Sequence, residues 1–256
     1  MNNIQAIQPT FKAYTPIKTK QRATKITETF QKTVQEKALT LYKRPKIWSI
    51  VDNFVKGKIE KLKQSKFSSD PRVRSIEFNL HHQGVEVRFN DDLDLAKFFE
   101  KGVETLQDKG IECPKNFFFV TPKIKKLGIM GATYNLIEDP KESPVILTKD
   151  IAEKASETKN LYEKGITSTD NPYHTFFHET GHWLLFKNQY DKEKSCQIFE
   201  KEADKEVIAK EVSRMCITTN DGSEFCTEYF AAKMAGKDFT EEIENLAKKL
   251  NAPLAK

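Results

Sequence analysis

The sequence predicts an α+β protein with a metal site, and three observations lead there. Short segments of alternating apolar residues fall between residues 76 and 148 with a helical stretch among them. Beyond Thr169 almost every window has helical periodicity. Inside one of those windows stands His178-Glu179-Thr180-Gly181-His182. Strands with an interleaved helix, followed by a helical half, is the order of an α+β chain rather than of a doubly wound parallel sheet.

Taken in order, residues 1 to about 20 hold Pro9 and Pro16 without periodicity and read as a tail. Ile26, Phe30, Val34 and Leu39 mark one amphipathic helix. After Pro45, a second stripe runs through Ile47, Ile50, Val51, Phe54, Val55, Ile59 and Leu62. Ser68-Ser-Asp-Pro71 breaks the pattern. Ile76, Phe78 and Leu80, then Val85, Val87 and Phe89, alternate around Gln83-Gly84 and predict a β-hairpin. Asp91 and Asp92 open a helix carrying Leu95, Phe98, Phe99, Val103 and Leu106, where acidic residues suit the positive helix start. Strands are expected at Phe117 to Val120, Ile129 to Tyr134 and Val145 to Thr148. The expected division is a basic tail and helical arm over 1–70 and a principal domain over 71–256.

Composition narrows the classes. With 38% hydrophobic residues and 18 Phe among 256, the chain has material for a packed core and is not wholly disordered. No run approaches the roughly 20 apolar residues of a membrane-spanning helix. The start lacks the basic-then-apolar layout of a secretory signal, so the cytoplasm is the default expectation, with non-classical secretion left open. Cys113, Cys196, Cys216 and Cys226 include no C-x-x-C pair and are expected as buried free thiols. The net charge of +5 is uneven: residues 1–70 hold 15 Lys/Arg against 5 Asp/Glu, leaving 27 against 32 for the rest. Such an arm suits nucleic acid or an anionic surface, but lysines around apolar stripes also make an ordinary solvated face, and no base-reading motif is present.

The segment Asn171 to Phe186 carries H-E-x-x-H. A spacing of four sets His178 and His182 on one helical face, where they can grip one zinc ion, with Glu179 beside them toward a water on the metal. Asp170 or Asn171 is expected to cap this helix, with Pro172 in its first turn. Phe176, Phe177, Trp183, Leu184, Leu185 and Phe186 are expected to bury it. His174, one turn earlier, is expected on the surface or behind the ligands rather than on the metal. His81 and His82 are not expected to form a joint site, since adjacent strand residues face opposite ways.

A hydrolytic zinc needs a third protein ligand and an open position. The extended metzincin pattern is excluded, because Leu185 and Asn188 stand where Gly and His would be. Glu200 or Glu202 lies 18 or 20 residues after His182, near the thermolysin-like spacing, in a heavily charged helix. Glu224 and Glu228 lie one turn apart in a largely apolar helix with Phe225, Phe230, Ala231 and Met234. Carboxylates in such a helix require a partner, and a metal with its histidines is one.

The run Glu211-Val-Ser-Arg-Met-Cys-Ile-Thr-Thr-Asn-Asp-Gly-Ser-Glu-Phe-Cys-Thr-Glu-Tyr-Phe-Ala231 resembles the Ser-x-Tyr-Ala-x-x-Asn…Glu-Phe-x-x-Glu-x-Phe-Ala segment of zincins related to the anthrax lethal factor catalytic domain. Similar segments occur in metallopeptidase-like domains of phage and bacterial proteins. The resemblance covers mainly residues 170–250. It implies a zincin-like fold, one zinc per chain, Glu224 as third ligand and Glu228 holding a ligand histidine. It also implies that the strands before the metal helix form the substrate-side edge, where an extended peptide adds by strand pairing. One position departs: Met215 stands where the family has an oxyanion-supporting tyrosine, leaving Tyr229, Tyr173 or Tyr134 to stand in. The expected activity is a zinc endopeptidase acting on a protein or peptide, with Glu179 as general base. The alternative is an inactive zinc-binding scaffold that docks protein or nucleic acid.

Overall fold

A proline at its first position and a long apolar stripe make α1 (Pro45–Lys63) the first helix seen. The structure, a computed structural model, describes residues 45–121, 131–136 and 138–255. The tail, the helix expected over Ile26 to Leu39 and much of the basic arm lie outside the described residues. The chain divides into two compact units, Met1–Phe54 and Val55–Lys256, and the division falls within α1. All that follows concerns the second.

The expected hairpin is replaced by a helix over its first half. Asp70 accepts from the Arg72 amide at 2.8 Å and Pro71 fills the first helical position, which starts α2 (Pro71–His82). Val73, Ile76, Glu77 and Leu80 form its buried face, while Phe78, between the apparent strand residues, is 49% exposed. Ile76 and Leu80 therefore pair as i and i+4, and a capped start outranks a three-residue alternation. Gly84 ends the helix in the left-handed conformation (φ 80°), with the Val85 amide donating back to Leu80 O at 2.9 Å. Val85, Val87 and Phe89 do alternate inward. Their segment makes one parallel bridge, Glu86 to Asn116, rather than a hairpin. His81 and His82 end up exposed at the close of α2, His81 against Glu86 at 2.7 Å and His82 against its own turn.

Glu77 is fully buried and joins three segments. It accepts from the Ser68 amide (2.7 Å), the Ser68 hydroxyl (2.8 Å) and the Phe89 amide (2.7 Å). Glu77→Ala leaves two interior amides without an acceptor and is expected to lower the unfolding free energy by about 3 kcal/mol, since each orphaned buried donor costs roughly 1–3 kcal/mol. Urea denaturation of the two proteins checks this, and a loss below about 1 kcal/mol would mean that other groups satisfy those amides.

Asp92 caps α3 (Leu93–Asp108) by accepting from the Leu95 amide, as its acidic start predicts. The sheet is small and mixed. β1 (Phe117–Val120) pairs in parallel with β3 (Val145–Thr148), Phe117 opposite Val145. β2 (Gly131–Thr133) pairs antiparallel with β3, Gly131 opposite Leu147, giving the order β1-β3-β2 with β2 at an edge. Ile129 and Met130 of the expected strand lie outside the described residues.

Helices make up the remainder: α4 (Ile151–Lys154), α5 (Thr158–Glu163), α6 (His174–Lys187), α7 (Lys192–Glu202), α8 (Lys205–Glu211), α9 (Arg214–Thr219), α10 (Gly222–Met234) and α11 (Glu241–Lys249). Asp191, Asp204 and Asp221 each cap the helix that follows them. The class is α+β with helices predominating. No described helix is long and apolar enough to cross a membrane. The four cysteines are free, with Cys216 and Cys226 buried and Cys113 and Cys196 only half-buried.

Two apolar clusters form the interior, and α6 and α10 contribute to both. Phe176, Phe177, Trp183 and Leu184 of α6 join Phe230, Ala231 and Met234 of α10 in the cluster with Phe99, Phe117 and Leu147. Leu185 of α6 joins Phe225, Cys226 and Tyr229 of α10 in the other, with Phe199, Ile243 and Leu246. The two helices touch at Gly181, where a Cβ would stand 3.3 Å from the Thr227 Cα and 3.2 Å from the Phe230 ring. A bare backbone at 181 thus sets how near the two helices lie.

Candidate metal centre

The chain enters α6 through a tight turn. The Asn171 side-chain oxygen accepts from the Tyr173 amide at 2.8 Å, and Thr169 Oγ1 accepts from the Asn171 amide at 3.1 Å. The helix then begins at His174, with Tyr173 at the cap position and no side-chain cap. The expected start is corrected accordingly: Asn171 organises the preceding turn, and Pro172 lies outside the first helical turn. Four-residue spacing stacks His174, His178 and His182 along one face of α6, with ring centroids 5.7 and 4.9 Å apart. The same spacing aligns Glu224 and Glu228 on α10, whose start Asp221 fixes by accepting from the Ser223 amide.

Where the helices cross, these side chains interleave. Glu224 places Oε2 3.4 Å from His178 Nε2 and Oε1 3.4 Å from His182 Nε2. Glu228 places Oε1 2.9 Å from His178 Nδ1 and Oε2 3.1 Å from His174 Nε2. The Ser168 amide donates to the same Oε2 at 2.7 Å, and the Ser168 hydroxyl donates to the Glu228 backbone carbonyl. Among the described residues, two groups of ligand atoms therefore lie close enough to hold a metal ion: His178, His182 and Glu224, and the deeper His174, His178 and Glu228.

Their surroundings differ. Glu228 is fully buried and its two oxygens already face three donors, so its valence is used within the protein. Glu224 and His182 keep 22% and 13% of their side-chain surface exposed, which leaves the first group an approach from solvent. The contact of Nδ1 with Glu228 orients the His178 ring so that Nε2 faces Glu224.

In charge the two groups are alike. Burial alone would raise the Glu224 carboxyl, but His178 and His182 overcome it and hold the group far below the usual glutamate range. Burial likewise opposes charge on Glu228, and His174 and His178 reverse it. Burial pushes the His178 imidazole down, yet Glu224 and Glu228 outweigh it and hold its pKa well above the ordinary value. Two anionic carboxylates in a buried site draw positive charge, and imidazole nitrogens with a carboxylate oxygen are a donor set that a divalent cation such as zinc accepts.

Glu179 lies on the neighbouring face of α6, 6% exposed, against β2. The Thr133 hydroxyl is 2.9 Å from both its Oε2 and its backbone carbonyl oxygen. Gly131 lies beneath it, where a Cβ would stand 2.6 Å from Glu179 Cγ.

Other expected residues lie elsewhere. Glu200 and Glu202 are exposed on α7, and Glu202 pairs with Lys249. Tyr229 is buried in the second cluster with its hydroxyl donating to Glu244, so it is engaged away from the histidines. Tyr173 stacks on Phe98, ring centroids 4.5 Å apart. Tyr134 is half-buried directly after Thr133, and its amide donates to Pro144 O. Met215 is half-buried on α9. His174 is buried, not on the surface, and serves Glu228. Ser168, Thr133 and Gly131 have no motif that would single them out, because they act through an amide, a hydroxyl and an absent side chain.

Compared with protein-family models, curated proteins and solved structures, the chain matches none. The functional reading therefore rests on the centre itself.

Proposed function

We propose that this chain is a zinc-dependent endopeptidase with a zincin-like catalytic domain, in which His178, His182 and Glu224 hold one zinc ion. The observation that carries the reading is the convergence of His178 Nε2, His182 Nε2 and both Glu224 oxygens, with Glu179 adjacent on the same helix. When bound, zinc supplies Lewis-acid charge that lowers the pKa of a neighbouring water and polarises a peptide carbonyl. Glu179 takes the proton of the attacking water and returns it to the leaving amine. Glu228, held by Ser168 and His174, keeps His178 in the tautomer that offers Nε2. A protein or peptide is the proposed substrate, and contact of the basic arm with nucleic acid or an anionic surface remains a separate proposal from its charge.

A second reading, a zinc-holding docking module without turnover, is favoured by one observation. Met215 stands in the tyrosine slot, and the nearby candidate Tyr229 is engaged by Glu244. The two readings separate in one experiment on protein purified without chelators. The peptidase reading expects zinc near one per chain and cleavage of a mixed peptide library that a chelator abolishes. Zinc without cleavage supports the docking module, and folded protein without zinc defeats both.

A further inference from the structure

A carboxylate that serves as general base must hold one oxygen toward the water it deprotonates, and Glu179 has three rotatable bonds through which to lose that aim. Its surroundings remove the freedom from one side. Thr133 Oγ1 lies 2.9 Å from Glu179 Oε2 and also 2.9 Å from the carbonyl oxygen of the same residue. The hydroxyl has one proton to give, and an ionised carboxylate is the stronger acceptor, so Oε2 receives it. The side chain is thereby tied at its tip, with the hydroxyl in turn resting against the helix backbone.

Gly131 acts from beneath. A Cβ there would stand 2.6 Å from Glu179 Cγ, 2.9 Å from Oε1 and 3.0 Å from Cδ, distances at which the carboxylate must move. Gly131 and Thr133 are two apart on β2 and so project to the same face of the sheet, toward α6. β3 holds them in register, Gly131 opposite Leu147 and Thr133 opposite Val145.

We propose that Thr133 and Gly131 are positioning residues for Glu179: the hydroxyl fixes Oε2, and the missing side chain leaves the space in which Oε1 faces the reacting water. This rests on the peptidase reading for its catalytic consequence, while the tie between β2 and Glu179 stands on geometry alone. It also gives the edge strand a role in aiming the base, apart from any pairing with substrate.

The experiment compares Thr133→Val, Thr133→Ser and Gly131→Ala with wild type in the full chain. Valine keeps the shape and strand preference of threonine but has no hydroxyl, and serine keeps the hydroxyl. Thr133→Val is expected to lower kcat about 10- to 100-fold, the scale of a misplaced catalytic group, with KM and zinc content unchanged. Thr133→Ser is expected to keep kcat within about threefold, and Gly131→Ala to fall with the valine variant. A merely structural role would give the opposite order, with valine tolerated better than serine. Crystal structures of the variants supply a readout apart from activity: Glu179 Oε2 stays on the hydroxyl in the serine variant and turns away in the valine and alanine variants. Wild-type kcat in Thr133→Val, or an unmoved Glu179 in its crystal structure, overturns the proposal. If the wild type cleaves nothing, the peptidase reading fails, and the position of Glu179 in the variants still decides whether β2 holds it.

Discussion

Glu224→Ala is expected to empty the metal centre. Zinc near one per chain in wild type should fall to near zero after dialysis, an affinity loss beyond the about 10- to 100-fold typical of outer-sphere partners. Among the described residues Glu224 is the one acid whose two oxygens face both His178 Nε2 and His182 Nε2, so its removal leaves a pair of imidazoles that cannot complete a site. It is also partly exposed, and the fold should survive its truncation, which circular dichroism can verify. Glu228→Ala makes the informative companion. It removes the acceptor of Ser168 N, His174 Nε2 and His178 Nδ1 in a fully buried place, so it should destabilise the protein as well as weaken zinc binding. Zinc kept in Glu224→Ala and lost in a folded Glu228→Ala protein would transfer the metal to the deeper group of His174, His178 and Glu228.

Glu179→Gln is expected to do the reverse, keeping zinc and losing hydrolysis by about 10²- to 10⁴-fold, the usual contribution of a positioned general base. Glutamine has the same shape and keeps an oxygen for Thr133 to donate to, so neither packing nor the tie to β2 should change. What disappears is the capacity to accept a proton at neutral pH. Initial rates on a peptide pool, measured beside zinc content, check the outcome, and peptide cleavage at wild-type rate in the variant would remove Glu179 from the mechanism.

The parts of this centre that could be seen in the sequence are those set by helical periodicity within one element. His178 and His182 are four apart, as are Glu224 and Glu228, and apolar neighbours on both helices announce that the polar residues are enclosed. The pairing of His174 with Glu228 required the crossing of α6 and α10, which no local pattern encodes. Ser168 was hidden because its contribution is a backbone amide that any residue but proline could offer. At the fold level, Ile76, Phe78 and Leu80 satisfy a period of two, while Ile76 and Leu80 alone satisfy a helical turn. The exposed Phe78 and buried Glu77 invert what hydrophobicity alone would assign to the two faces. The order β1-β3-β2, with one parallel and one antiparallel pair, is equally a property of the assembled chain rather than of any strand.

The contact at Gly181 changes how the five-letter signature should be spelled for this fold. In H-E-x-x-H the third and fourth letters are blanks, filled by whatever a helix tolerates. Here the fourth is a measuring gauge: the absent side chain sets the gap between one helix that brings imidazoles and another that brings the carboxylate. A methyl group at that letter would force its neighbours back by a few tenths of an ångström, and a larger branch would wedge the donors apart. For a chain built on this crossing the signature is H-E-x-G-H, and the glycine specifies how far apart the donors stand as much as the residues that carry them.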